Sequence, residues 1–231
     1  TPTPNVSPFD VIIFYDAGYN AVMPYGNVTL EQVSALTQDA IFSRGPKGVK
    51  RTGIFIGGRE IGLAADMLDS SKRAMVPPFE VSVFADPSGA FTTAAGMVAC
   101  VEKQLKKIHQ TDFNGKNVVV LGGTGPVGAA AAVLASQAGA RVRIASHTSA
   151  TRARMTSEVV NARYGATTEP GDASAADAKL DMIKDADIIL GAAKAGVQVL
   201  NAQELAIVKR LLVVADVNAV PPSGIEGVGM M

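Results

Sequence analysis

Gly123, Gly125 and Gly128 form a G-x-G-x-x-G pattern between the apolar run Val118-Val119-Val120-Leu121 and the small-residue stretch Ala129 to Ala138. Read as strand, turn and helix, this is the setting in which the pattern binds a dinucleotide. The first glycine permits a tight turn. The second lets backbone N–H groups approach a pyrophosphate, and the third lets the helix touch the strand. Thr124, Pro126 and Val127 complete the turn and helix start. There, first-turn N–H groups and the positive end of the helix dipole favour phosphate.

The next strand, Arg141 to Ala145, is followed by Ser146-His147-Thr148-Ser149, with Arg152 and Arg154 beyond and no carboxylate until Glu158. An NAD site usually has an acid here to bind the ribose 2′-hydroxyl. Hydroxyls, an imidazole and a guanidinium instead suit a 2′-phosphate. Ser146, His147, Thr148 and Arg152 are therefore read as cofactor-binding, with NADP preferred and NAD possible. The plain alternative is that the two arginines decorate an exposed helix start.

Two acids and several hydroxyls sit where strands of the N-terminal half would end. Tyr15-Asp16-Ala17-Gly18 follows one apolar run, and Asp86-Pro87-Ser88-Gly89 follows another, leading to Phe91, Thr92 and Thr93. In a parallel sheet these ends share one edge, which is where ligands bind. Asp16 or Asp86 could hold the N–H donors of a guanidine-like ring, and Thr92 and Thr93 could donate to its carbonyl. Ordinary capping by Asp16, Asp86 and Ser88 would explain the same residues. The basic loop Lys47 to Arg51 reads as a solvated loop or a contact for a polyanionic tail. His109 and His147 lack a partner acid, and with Cys100 as the single cysteine no metal cluster is expected.

The elements that would position these residues alternate between strand and helix. Strands are expected at 10–15, 52–56 and 79–84, and helices at 30–42, 60–74 and 91–107. A polar stretch, 108–116, reads as a linker. Then come strand 117–122, helix 127–138, strand 141–145, helix 151–163, strand 187–191, helix 201–209 and strand 211–215. The fold class is α/β: an N-terminal parallel α/β domain (1–107) plus a Rossmann-type doubly wound nucleotide-binding domain (117–231). Because the sequence stops in a loop at Gly229-Met230-Met231, that domain is expected to lack its C-terminal segment.

Composition narrows the partners. Basic and acidic residues both number 21 in 231, so no net field attracts nucleic acid or an anionic membrane. Eight Phe and four Tyr are too sparse for a base-stacking platform. No apolar run nears the roughly 18 residues of a membrane span. A single cysteine fits a reducing cytoplasm.

Several stretches resemble the bacterial methylene-tetrahydromethanopterin dehydrogenases of methylotrophs. They are Ser7-Pro8-Phe9-Asp10-Val11, Asp16-Ala17-Gly18, Pro24 to Val28, Leu36 to Arg44, Arg51 to Gly58, Asp86 to Ala95, Gly122 to Gly128, and Asp216 to Pro222. The resemblance implies oxidation of the methylene pterin to its methenyl form, with hydride passing to NAD(P)+. It implies that Phe9 orients the pterin, that Asp16, Asp86, Phe91, Thr92 and Thr93 bind it, and that Asn218 belongs to the cofactor site. It also implies a homo-oligomer, trimer or hexamer. Family members use a lysine after the Pro-Pro loop, and this sequence ends before that position. A tetrahydrofolate or shikimate-type NADP dehydrogenase, or a non-catalytic NADP-binding redox sensor, would share the glycine turn.

Overall fold

The computed structural model describes residues 1–218 and 220–229; Ala219, inside the Asp216 to Pro222 stretch, and the terminal Met230 and Met231 lie outside the described residues. The chain divides into two compact units, Thr1–Ala90 and Phe91–Met231.

In the first unit the order is α1 (Pro8–Asp16), α2 (Leu30–Phe42), α3 (Pro46–Val49), β1 (Gly53–Ile56), α4 (Ile61–Ala74) and β2 (Ser82–Ala85), closing on a 3-10 turn at Pro87–Gly89. β1 and β2 are parallel, in register from Gly53 opposite Ser82 to Ile56 opposite Ala85. Helix α2 starts with the expected Thr29–Gln32 cap, the Thr29 N–H donating to Gln32 Oε1 at 2.9 Å. Its buried face, Val33, Thr37 and Ile41, matches that of α4, Ala64, Ala65, Met67, Ser71 and Ala74. Between them the buried Thr37 hydroxyl donates to Ser71 Oγ at 3.0 Å, so neither hydroxyl is left unpaired.

Residues 10–15, expected as a strand, are helical in α1. A short apolar run such as Val11-Ile12-Ile13-Phe14 has no period that separates the two states. Pro8 in the first turn and the acidic Asp10 beside the helix N-terminus decide for the helix. Helix α1 then runs antiparallel to β1. Its Asp10 carboxylate reaches Gly57 just past the carboxyl end of β1, where an added Cβ would meet Oδ2 at 2.8 Å. Phe14 packs edge-on against Phe55 at 5.4 Å between centroids. Tyr19, just after the helix, has its hydroxyl beside Gly53 at the amino end, 2.9 Å from where a Cβ would stand.

The second unit takes α5 (Ala90–His109) from Phe91 onward, then β3 (Asn117–Leu121), α6 (Pro126–Gln137), β4 (Arg141–Ser146), α7 (Ala150–Tyr164), β5 (Thr168–Asp172), α8 (Ala176–Ile183), β6 (Ile188–Gly191), α9 (Ala202–Ala206) and β7 (Val213–Asp216). The five strands are all parallel and lie in the order β5-β4-β3-β6-β7. That is the doubly wound, Rossmann-type arrangement, with the order reversing between β3 and β6. Its core is the central pair: Val118 to Leu121 and Ile188 to Leu190 are almost fully buried. From Phe91 onward α5 belongs with this unit, although residues 91–107 are expected from sequence to close the first. Residues 108–116 are docked rather than free: α5 continues through His109 and Phe113 is 1% exposed.

Strand β5 and helix α8 carry no clear sequence signal. β5 reads Thr-Glu-Pro-Gly-Asp, and only an edge position lets a strand tolerate that proline. After β7 the chain returns to the sheet: Leu200 and Ile225 form a parallel bridge, and Ile225 is fully buried. Among the described residues, no helix is long and apolar enough to cross a membrane.

Candidate functional site

The glycine turn joins β3 to α6, and each glycine in it meets a different demand. The left-handed conformation falls on Gly122 (φ +73°) rather than on Gly123, the residue expected to make the turn. Gly123 is needed for space: an added Cβ would sit 2.8 Å from the Val120 carbonyl oxygen and 2.9 Å from Ile144. Gly128 is needed for helix–strand contact, its Cβ position lying 2.5 Å from the Gly122 carbonyl oxygen. Gly125 differs. It is the N-cap of α6 with φ −84°, and the nearest atom to its Cβ position, Gly122 O, is 3.3 Å away. Packing thus constrains this position less than Gly123 or Gly128, since the neighbour would have to give by only a few tenths of an ångström; a group brought close to the backbone would add a further demand for glycine. Pro126 has no N–H, so Val127 and Gly128 carry the first-turn donors that lack an intrahelical carbonyl. Free first-turn donors of this kind are the chemistry that suits an anionic group.

The turn after β4 holds the residues expected to read the ribose. His147 and Thr148 are exposed on it, and Arg152 is exposed in the first turn of α7 that follows. Ser146 is not: it is fully buried, and its Oγ accepts the N–H of Thr148 at 3.2 Å and of Ser149 at 3.3 Å. Ser149 caps α7 in turn, its Oγ accepting the Arg152 N–H at 3.2 Å.

Asn218 lies past β7, buried, and joins two loops. Its Oδ1 accepts the N–H of Gly196 at 3.1 Å and of Val220 at 3.2 Å, while its amide donates towards Val197 and Pro222 carbonyls. Asp216, not among the expected site residues, anchors the same segment: its carboxylate accepts the N–H of Asn218 at 3.0 Å and of Ile225 at 2.9 Å. Both side chains shape the rim at the carboxyl ends of β6 and β7.

In the first unit Asp16 and Asp86, expected to share the sheet's carboxyl edge, do not share it. Asp16 is exposed at the far end of α1, towards the amino end of β1, because six residues of helix separate it from Asp10 by about 9 Å. Asp10 takes the place intended for it. Burial raises the Asp10 carboxyl above the ordinary aspartate range and the charge of nearby Asp86 adds to this, against a smaller opposing pull from the amino terminus. Asp86 is 6% exposed where β2 ends, and its N–H donates to the Ile56 carbonyl at 3.1 Å. The 3-10 turn that follows is held by the Ser88 hydroxyl, which donates to the Gly58 carbonyl at 2.8 Å. Phe9, beside Asp10, is 66% exposed, an unusual state for a phenylalanine on a well-formed helix. Phe91 is half-buried, and Thr92 and Thr93 are exposed in the first turn of α5. A helical reading of residues 8–16 would have found Asp10; the strand reading hid it.

Residues 8–88 match the family described as methylene-tetrahydromethanopterin dehydrogenase, N-terminal. Across 228 residues the chain is 46% identical to an NAD(P)-dependent methylenetetrahydromethanopterin dehydrogenase of Methylorubrum extorquens, covering 99% of this chain and 77% of that protein. The chain belongs to this dehydrogenase family. The bifunctional protein MdtA of the same organism is 33% identical over 226 residues, covering 98% of this chain and 76% of that one. Among solved structures, the dipicolinate synthase A chain of Bacillus subtilis is similar at 18% identity and a TM-score of 0.45, over 79% of this chain and 56% of that one. The methylene-tetrahydromethanopterin dehydrogenase match over residues 8–88 spans α1 to the Pro87–Gly89 turn, and so contains Phe9, Asp10 and Asp86.

Proposed function

We propose that this chain oxidises methylene-tetrahydromethanopterin to the methenyl form in one-carbon (formaldehyde) metabolism, with NADP+ preferred over NAD+. Family membership across nearly the whole chain, with an intact glycine cradle, is the observation that carries this reading. The cradle of Gly123 to Gly128 would hold the pyrophosphate, and His147, Thr148 and Arg152 the 2′-phosphate. Asn218 shapes the loops beyond β6 and β7. When bound, NADP+ supplies the hydride acceptor.

Loss of hydride from a carbon between two nitrogens leaves a resonance-stabilised cation, so no side chain has to take a proton. The chain's task is then to orient the pterin and exclude water. Phe9 offers an apolar face for stacking. Asp10 and Asp86 offer acceptors to the N–H edge of a pyrimidine ring, and Phe91, Thr92 and Thr93 complete the proposed substrate set. The exposed apolar side chains of α1 beyond Phe9, namely Ile12, Ile13 and Tyr15, support self-association; a trimer or hexamer is what the family resemblance implies. The lone Cys100 supports a cytoplasmic setting.

The test is NADPH formation on adding methylene-tetrahydromethanopterin, with methylene-tetrahydrofolate and shikimate as parallel substrates. Turnover of the first is expected. Turnover of either of the others alone, or NADP+ binding without any turnover, overturns the reading.

A further inference from the structure

Ser146 stands at a junction of backbone hydrogen bonds. The carbonyl before it, Ala145 O, accepts the N–H of Gly123 in the pyrophosphate turn at 3.2 Å, and its own carbonyl accepts the N–H of Ala173 after β5 at 2.9 Å. The root of the following turn is thus tied to the glycine turn on one side and to β5 on the other. Its side chain then folds the outgoing chain back, Oγ accepting from Thr148 and Ser149 at 3.2 and 3.3 Å. Ser149 passes the constraint on by capping α7 at the Arg152 N–H. Asp172, the register partner of Ser146 on β5, has Oδ1 occupied by the N–H and hydroxyl of Ser174.

A hydroxyl that is fully buried and accepts two N–H bonds has no surface to offer a ligand. Those bonds also occupy the N–H groups of Thr148 and Ser149, so recognition of an anion at this turn falls to the outward side chains of His147, Thr148 and Arg152. An aspartate at position 146 could accept the same two bonds, but would put a formal negative charge at the root of the turn.

We propose that Ser146 is a positioning residue: it presents His147, Thr148 and Arg152 to the 2′-phosphate of NADP without touching it, and so sets the preference for NADP over NAD. This rests on the NADP-binding reading above and departs from the expectation that Ser146 contacts the cofactor itself.

The experiment is direct titration of the protein with NADP+ and with NAD+, without pterin, for the native chain, Ser146→Ala and the shape-matched pair Ser146→Thr and Ser146→Val. Circular dichroism checks that each variant is folded. Ser146→Ala is expected to weaken NADP+ binding about tenfold, as loosening of a doubly bonded turn implies, and NAD+ binding less than about twofold. Threonine, which keeps the oxygen, should retain the preference, and valine should lose it; this pair decides the matter if the alanine variant does not fold. Equal weakening of both cofactors, or none, overturns the proposal and leaves the NADP reading standing. Native protein that binds neither cofactor overturns both.

Discussion

Gly128 on α6 lies so close to Gly122, just past β3, that a Cβ on Gly128 would come within 2.5 Å of the Gly122 carbonyl oxygen, while a Cβ on Gly125 between them would stand 3.3 Å from the same oxygen, a tight contact but a much milder one. Packing therefore demands glycine more strictly at 128 than at 125, and the proposed pyrophosphate contact would fall on Gly125. Gly128→Ala should lower stability by about 1–3 kcal/mol through overpacking. Gly125→Ala should cost about 1 kcal/mol or less as a poorer N-cap, yet weaken NADP+ binding at least tenfold. Thermal melts beside cofactor titrations separate the two. Similar losses of stability in both variants would show that Gly125 is also a packing glycine.

Phe9 and Asp10 are expected to act on the pterin and not on the cofactor. Phe9→Ala and Asp10→Asn should each raise the pterin KM or lower kcat by about tenfold, the scale of one lost orienting contact, with the NADP+ Kd unchanged. Asp16→Asn, at the other end of α1, should leave both unchanged. An Asp16 effect equal to that of Asp10 would overturn the assignment of the acid at the sheet edge.

The raised Asp10 carboxyl has a consequence for stability. Burial, then the charge of Asp86, makes the folded chain hold the Asp10 proton more tightly than the unfolded chain does. That favours the folded state while Asp10 is protonated, and the benefit is lost as pH rises through the interval above the ordinary aspartate range. Asp10→Asn removes the loss. Its melting temperature should exceed that of the native chain by about 1–2 °C at neutral pH, small because the group is partly solvated, and the gap should close in acid. A gap that persists unchanged in acid would point to a cause other than ionisation.

Lys179 and Glu204 pair at 2.6 Å with side chains only 19% and 17% exposed, outside the regime of weak surface pairs. Burial pushes the Glu204 carboxyl up, but the hydrogen bonds from Lys179 and the Asn201 N–H outweigh it and hold the group below the usual glutamate range. Its contribution is present above the ordinary glutamate range and is lost as pH falls through the lowered value. Glu204→Gln leaves Lys179 half-desolvated and should cost about 1–3 kcal/mol, read by denaturant unfolding. Cofactor affinity should not change.

Elements with a strong local signal were legible in the sequence. Helix α2, with its cap and apolar face, lies at the expected 30–42, and β3, α6 and β4 fall within a residue of expectation, because an apolar strand, a glycine turn and a small-residue helix each announce themselves locally. The edge strand β5 and short α8 did not, since a strand paired on one side need not be apolar. Residues 10–15 misled for a related reason: a short apolar run is equally a strand and a helix until its ends and neighbours are known.

The alternation of strand and helix and the glycine turn were thus determined by residue type and spacing, since both depend on interactions within a few residues. Which atoms are free to meet a ligand was decided by tertiary structure alone. Ser146 reads as a ribose-facing hydroxyl, but at the end of β4 beside β5 it is fully buried, with its oxygen taken by the N–H groups of the turn that follows. Asp16 reads as an edge acid until α1, laid antiparallel on β1, carries it away and puts Asp10 there instead. Local spacing sets which elements form; only the packing of distant elements sets which way their polar groups face.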